Sequence, residues 1–197
     1  MSPLELSANV FNLLSVWFSS RNNVHTWWCG IVGCTLYALM FVEVRLYADV
    51  TLQAFFIASC VVGWWNWRRG GARTDPSGAA ELPITRVAPA AAAGLAALAI
   101  AGAAAYGWLL QTLTDAASPF VDSTVLALSI LAQLLMVARK LETWPVWFVV
   151  DCIAVPLYGS KGLWLTAAVY AFFLALVVAG WLRWSRLWRQ AQVGAAA

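Results

Sequence analysis

TWPVWFVVDCIAVPLYGSKGLWLTAAVYAFFLALVVAGWLRWSR (Thr143–Arg186) lies, without a gap, on TWWCGIVGCTLYALMFVEVRLYADVTLQAFFIASCVVGWWNWRR (Thr26–Arg69), 117 positions earlier. Thr26 and Trp27 fall on Thr143 and Trp144, Leu46 on Leu163, Tyr47 on Trp164, Ala54 on Ala171, and Phe56 on Phe173. Gly63, Trp64, Trp67 and Arg69 fall on Gly180, Trp181, Trp184 and Arg186. Three tryptophan pairs in one register are too many for a chance match of two Trp- and Ala-rich stretches, so the chain carries an internal repeat. Each copy holds two apolar runs and the copies lie four runs apart, so both cross a bilayer in the same sense. That predicts parallel repeats about a pseudo-two-fold axis along the membrane normal, a plan in which transporters bind solute near the midplane between the halves.

Composition puts the repeat in lipid. Of 197 residues, 62% are hydrophobic and 11% charged, against about a quarter charged in a soluble domain. Disorder needs the opposite balance. Seven candidate spans follow, over about Leu4–Ser20, Thr26–Val44, Val50–Trp67, Val87–Leu113, Pro119–Ala138, Trp144–Tyr158 and Leu163–Trp184. At about 20 residues each they occupy roughly 140 positions, which leaves no room for a catalytic or ATP-hydrolysing domain. The fold class is an all-α polytopic membrane protein with seven transmembrane helices in a 3+1+3 order. The repeats are 1–67 and 114–186, with a connector at 68–86, a linker helix at 87–113 and a tail at 187–197.

The first span is interrupted by Asn9, Asn12 and Ser15, but it lacks a basic n-region and reads as a retained helix rather than a signal peptide. The sixth is short and broken by Pro156. The fourth is alanine-rich from Ala88 to Ala105, and its small residues predict close packing as a linker between the halves. The connector RRGGARTDPSGAAELPITR (Arg68–Arg86) is rich in Gly, Pro and Arg.

Counting basic residues on alternate sides gives the orientation. One side receives Arg21, Arg68, Arg69, Arg73, Arg86, Arg139, Lys140, Arg183, Arg186 and Arg189; the other receives Arg45 and Lys161 with Glu5, Glu43, Asp49, Asp115 and Asp122. By the positive-inside rule the N-terminus is outside and the C-terminus cytoplasmic.

Little here suits catalysis. Cys29, Cys34, Cys60 and Cys152 lie in apolar runs without CxxC spacing, His25 is the single histidine, and there is no phosphate-binding loop. The expectation is no metal or other cofactor, no enzymatic activity and no nucleic-acid partner.

The polar groups inside the spans are few. Trp144, Trp147, Asp151 and Tyr158 share one face of the sixth span, with Asp151 about 10 Å along the axis from Trp144. A mid-membrane carboxylate costs about 3 kcal/mol on insertion scales and is a functional candidate by default; satisfaction by a neighbouring helix is the structural alternative. Its repeat mate is Cys34. Asp49, Gln53, Phe56 and Trp67 share a face of the third span, and Gln133 is an amide in the fifth. Amides also glue helices together. Trp64, Trp65, Trp67, Trp181 and Trp184 fit an interfacial belt, whereas Trp144, Trp147 and Tyr37 suit stacking on a flat ring. Aromatic walls, amides and one carboxylate fit a planar, hydroxylated or cationic solute.

LYADVTLQAFF (Leu46–Phe56), GWWNWRRG (Gly63–Gly70) and ETWPVWFVVDCIAVPLYGSKGLWLTAAVYAFF (Glu142–Phe173) resemble the Pnu-type vitamin transporters. The resemblance covers most of the chain apart from the connector and the fourth span. It implies a seven-helix bundle related to the SWEET sugar carriers and uptake of nicotinamide riboside across a bacterial inner membrane. Transport would be facilitated diffusion, with a cytoplasmic kinase trapping the solute. It also implies that Tyr37, Gln53, Gln133, Trp144, Trp147 and Asp151 line the pocket, and it leaves room for a homo-oligomer. A thiamine or riboflavin carrier of the same family is the alternative. From other classes come a membrane-embedded enzyme using Glu142 and Asp151, and a structural or sensory protein whose polar groups only hold helices together.

Overall fold

The structure, a computed structural model, describes residues 3–43, 47–74, 83–113, 118–160 and 164–196. Residues 44–46, 75–82, 114–117 and 161–163 lie outside the described residues, and with them Arg45, Leu46, Asp115, Lys161, Leu163 and part of the connector. The side chains of Glu5, Glu43, Tyr47, Asp49, Arg73 and Tyr158 also lie outside the described set.

Seven helices follow in order: α1 Pro3–Ser20, α2 His25–Glu43, α3 Tyr47–Thr74, α4 Pro89–Leu113, α5 Pro119–Val137, α6 Thr143–Ser160 and α7 Trp164–Ala196. Local chemistry sets their ends. Asn23 Oδ1 accepts the His25 backbone N–H at 2.9 Å at the head of α2. Pro119 opens α5 with Asp122 in its first turn, where a missing N–H costs nothing and the helix dipole favours an acid. Pro89–Leu113, Pro119–Val137 and Ala167–Val193 are each long and apolar enough to cross a membrane by composition alone, and Thr143–Leu157 is a shorter apolar run. Large apolar side chains face outward, with Leu98 and Ile100 both 70% exposed, the arrangement expected when lipid rather than water surrounds the bundle.

The sixth span is not broken. α6 runs continuously through Pro156. A proline removes a single backbone donor, and transmembrane helices absorb that loss locally.

Among the described residues the helices touch in the order α1–α2–α3–α5–α6–α7 and back to α1, a closed ring of six. No backbone contact joins α1 to α3, α5 to α7, or α2 to α6. Across the ring, contact is made by side chains, as between Trp67 and Trp184. The expectation that α4 packs between the halves is corrected here, because it lies against α5 alone. At that seam a Cβ on Gly107 would come within 2.5 Å of Phe120 and 2.7 Å of the Ser123 hydroxyl. Gly107→Leu should therefore lower the thermal midpoint in detergent, by an overpacking cost of about 1–3 kcal/mol. Gly102, with open space around it, is the control, and Gly102→Leu should leave the midpoint unchanged.

The repeat is visible atom by atom, and it reaches further than the sequence match. At the offset of 117, α1 falls on 120–137, α2 on 142–160 and α3 on 164–191, which are α5, α6 and the body of α7. Thr26 Oγ1 donates to Ser15 O at 2.9 Å, and Thr143 Oγ1 donates to Ala132 O at 2.8 Å, the same bond one repeat on. The Trp27 ring covers Gly63 and the Trp144 ring covers Gly180, each reaching to 2.4 Å from where a Cβ would stand. Asn22 and Arg139 both take positive φ, 58° and 53°.

Candidate functional site

One end of the ring is plugged. Trp27 and Trp67 meet edge to face at 5.1 Å, Trp144 and Trp184 do the same at 5.4 Å, and Trp67 and Trp184 meet each other at 5.7 Å. Trp67 Nε1 donates to Met136 O at 3.3 Å, and Trp184 Nε1 donates to Ser19 O at 3.2 Å. With Val137, Leu141 and Val177 these rings form the buried apolar cluster of the molecule. All of it lies toward the arginine-rich end. Glycine at 63 and 180 is what lets the indoles lie flat against a neighbouring helix.

Asp151 projects from the middle of α6 and is 3% exposed. Its Oδ2 is buried and, among the described residues, has no hydrogen-bond partner. A carboxylate oxygen in that position is costly, because desolvation is not repaid by a bond. Two other buried polar atoms share this state, Nε1 of Trp27 and of Trp144. The acceptor and one of these donors thus sit two turns apart on α6. Trp147, between them, is half-buried against the tryptophan cluster.

The remaining candidates are tied in differently. Gln133 Nε2 donates to Ser59 Oγ at 2.9 Å and lies 3.8 Å from Cys60 Sγ, which joins α5 to α3. Tyr37 Oη and Asn9 Oδ1 lie 2.8 Å apart, which joins α2 to α1. Gln53 is half-buried on α3. The structure thus gathers Trp144, Trp147 and Asp151 on one face, and places Gln133 and Tyr37 in seams between helices. Exchanging Gln133 for Leu should remove the α3–α5 hydrogen bond and loosen that seam by about 0.5–1.5 kcal/mol, the Ser59 hydroxyl keeping its own bond to Phe56 O at 2.8 Å. Thermal unfolding of Gln133→Leu, Ser59→Ala and the double variant measures it, since the two single losses should not add when they remove the same bond.

The family described as nicotinamide mononucleotide transporter matches residues 2–186. The chain belongs to that family. Among curated relatives, the nicotinamide riboside transporter PnuC of Escherichia coli (strain K12) is 26% identical over 95% of this chain and 85% of its own length. The riboflavin/roseoflavin transporter RibM of Streptomyces davaonensis is also 26% identical, over 98% of this chain and 91% of its own. A crystal structure of the vitamin B3 transporter PnuC superposes with a TM-score of 0.75 at 25% identity, covering 95% of this chain and 82% of that one. Members of this family are transporters, so the chain is a multi-pass membrane transporter and not an enzyme. The geometry agrees. Glu142 binds Arg86 Nε at 3.1 Å and accepts the Val87 N–H at 3.0 Å, about 13 Å along the helix from Asp151, which is too far to act with it on one bond.

Comparing repeat mates separates frame from site in this family member. Thr26/Thr143, Trp27/Trp144, Gly63/Gly180 and Trp67/Trp184 are identical and do the same job. Tyr37, Gln53, Gln133, Trp147 and Asp151 instead face Ala154, Tyr170, Val16, Gly30 and Cys34. A vitamin has no two-fold axis, so groups that recognise it should differ between the halves. Trp144 is the one candidate whose mate matches it, and its ring belongs to the plug.

Sequence reasoning missed Ser59, Asn9, Ser19 and Asn22. Asn9, Asn12 and Ser15, which weakened the first span as a sequence, are what lock α1 to α2. Ser15 Oγ donates to Thr26 O at 2.8 Å, and the Asn12 amide stands 2.9 Å from where a Gly33 Cβ would be. Setting the offset of 117 against span one would have found Asn22 opposite Arg139.

Proposed function

We propose that the chain takes up nicotinamide riboside by facilitated diffusion across a bacterial inner membrane, with Asp151 as the group that receives the pyridinium. The buried Oδ2 without a partner carries this reading, because an anion kept at mid-membrane at such cost calls for a cation to neutralise it. The family description speaks of a mononucleotide, while the relatives' names speak of the riboside. The charges favour the riboside. α6 carries no Lys or Arg, so a phosphate would meet its carboxylate with no counter-charge on that helix. Gln53, Gln133 and Trp147 complete the pocket, with Tyr37 at its edge and Trp144 as its floor. The halves 1–67 and 114–186 rock about the axis in the manner of SWEET-like parallel repeats. The arginine-rich end faces the cytoplasm by the positive-inside rule, which places the N-terminus outside, and a cytoplasmic kinase traps the solute.

A riboflavin carrier is the second reading, supported by the similarity to RibM; thiamine, another cationic ring, follows. Ligand-induced thermal stabilisation of the purified protein separates them. The riboside should raise the midpoint at concentrations where riboflavin and nicotinamide mononucleotide do not. A shift with riboflavin alone would overturn the assignment. Trp147→Ala, which removes a stacking face worth about 1–3 kcal/mol, should weaken riboside binding roughly 5- to 150-fold with expression unchanged.

A further inference from the structure

The arginines at the plugged end fall into two classes. Arg21 Cζ stands 4.4 Å from the Trp17 ring, Arg68 Cζ 5.4 Å from Trp64 and Arg69 Cζ 3.3 Å from Trp65. Arg86 pairs with Glu142, and Arg139 Nε donates to Asn22 Oδ1 at 3.0 Å. Arg183, Arg186 and Arg189 make no ion pair, hydrogen bond or ring contact among the described residues. All three stand on α7, whose 33 residues include no acid.

The repeat shows why the classes differ. Arg69 and Arg186 are mates, and one turn back the first has Trp65 where the second has Leu182. An arginine stacks on an indole at that spacing but not on a leucine. The second copy thus presents a bare guanidinium where the first covers its own. Beside it lies a cavity of about 300 Å³, lined by Trp181, Leu182, Ser185, Arg186 and Arg189. The chemistry of this cavity changes along the helix. Trp181 and Leu182 are exposed, at 42% and 55%. Trp184 Nε1 reaches Ser19 O in the last turn of α1, so Trp184 is level with the end of the bundle. Arg189 stands about 7 Å farther out along the axis. Apolar walls come first, then a hydroxyl and two guanidiniums, which is the order of groups from the acyl chains to the phosphate of a phospholipid.

We propose that this face of α7 binds an anionic phospholipid. Arg186 and Arg189, with the Ser185 hydroxyl, hold its phosphodiester, and Trp181 and Leu182 take its glycerol and first methylenes. Guanidinium forks match phosphate oxygens in pairs, and basic pockets at the membrane boundary suit such headgroups. A zwitterionic lipid would bring its own ammonium among three arginines with no acid on the helix to receive it. Free phosphate would leave the apolar half of the cavity unfilled. The proposal rests on the chain lying in a bilayer and not on which vitamin it carries.

The test reconstitutes the full chain in nanodiscs of phosphatidylglycerol and phosphatidylcholine in equal parts, releases it into detergent, and counts the lipids that stay bound by native mass spectrometry. The parent should favour phosphatidylglycerol at least about tenfold, and Arg186→Gln and Arg189→Gln should each lower that preference about fivefold, the factor for one basic residue at an anionic surface. Arg183→Gln loses the same charge outside the cavity and should keep the preference. Leu182→Trp is the sharper arm, because it changes no charge. It gives Arg186 the ring that Arg69 has, and should lower the preference as far as Arg186→Gln does. Equal retention of both lipids by the parent would overturn the site. Equal losses in Arg183→Gln and Arg186→Gln would overturn it as well, in favour of a diffuse field of charge. An unchanged preference in Leu182→Trp would overturn the role of the bare guanidinium, and release of the lipid by millimolar inorganic phosphate would overturn the lipid as occupant. No readout involves the vitamin, so failure here is distinct from failure of the riboside assignment.

Discussion

Asp151→Ala should abolish uptake and leave the folded protein at least as stable as before. The two effects have one cause. The carboxylate is 3% exposed with Oδ2 unpartnered, so the empty carrier bears an uncompensated desolvation cost, on the order of 3 kcal/mol on insertion scales. Truncation relieves that cost. It also removes the proposed partner of a cationic ring, and losing one half of a buried charge pair costs about 2–5 kcal/mol, or roughly 30- to 5,000-fold in affinity. Asp151→Asn refines the result, since it keeps the shape and an acceptor but loses the charge. It should weaken binding of a cation far more than that of neutral riboflavin. Riboside binding in titration calorimetry and thermal midpoints in detergent check both halves. Parent-like binding by Asp151→Ala would remove the residue from the site, and a large drop in midpoint would make it a structural group.

The second large effect concerns the plug. Gly63→Ala and Gly180→Ala each place a methyl 2.4 Å from an indole ring atom, Trp27 in one case and Trp144 in the other. Neither ring can retreat easily, because each is wedged edge to face against a second tryptophan. Each change should cost about 1–3 kcal/mol by overpacking, and the two costs should be alike because the sites are mates. Pairing Gly180→Ala with Trp144→Phe, a smaller ring, should recover part of the loss, as measured by thermal unfolding. A midpoint unchanged in both single variants would mean the rings do not lie on the glycines.

Much of this site was legible before any coordinates. The Trp144, Trp147 and Asp151 face follows from helical spacing alone, and the burial of Asp151 follows from what a carboxylate costs in lipid. Tyr37 and Gln133 show where that reasoning stops. Each is proposed to line the pocket, and each is also bonded to a residue on another helix, Asn9 and Ser59, which spacing along one span does not show. Pro156 differs for the opposite reason, since the break expected there rests on a preference that lipid relaxes, and α6 runs through it. The alanine-rich stretch lies mostly exposed, and the close contact of its helix falls at Gly107, against α5, because small residues permit close packing without telling which neighbour supplies it.

By itself the sequence determined the duplication, the sense in which both halves cross the bilayer, and the side that carries the arginines. Those properties depend on which residue stands at which step along one chain, and periodicity and hydrophobicity record that directly. Only the tertiary structure decided that six helices close a ring, that Asn22 and Arg139 face each other at one end of its axis, and that Oδ2 of Asp151 is left open while Gln133 is satisfied. Whether a polar group finds a partner depends on distances between segments, and composition does not encode them.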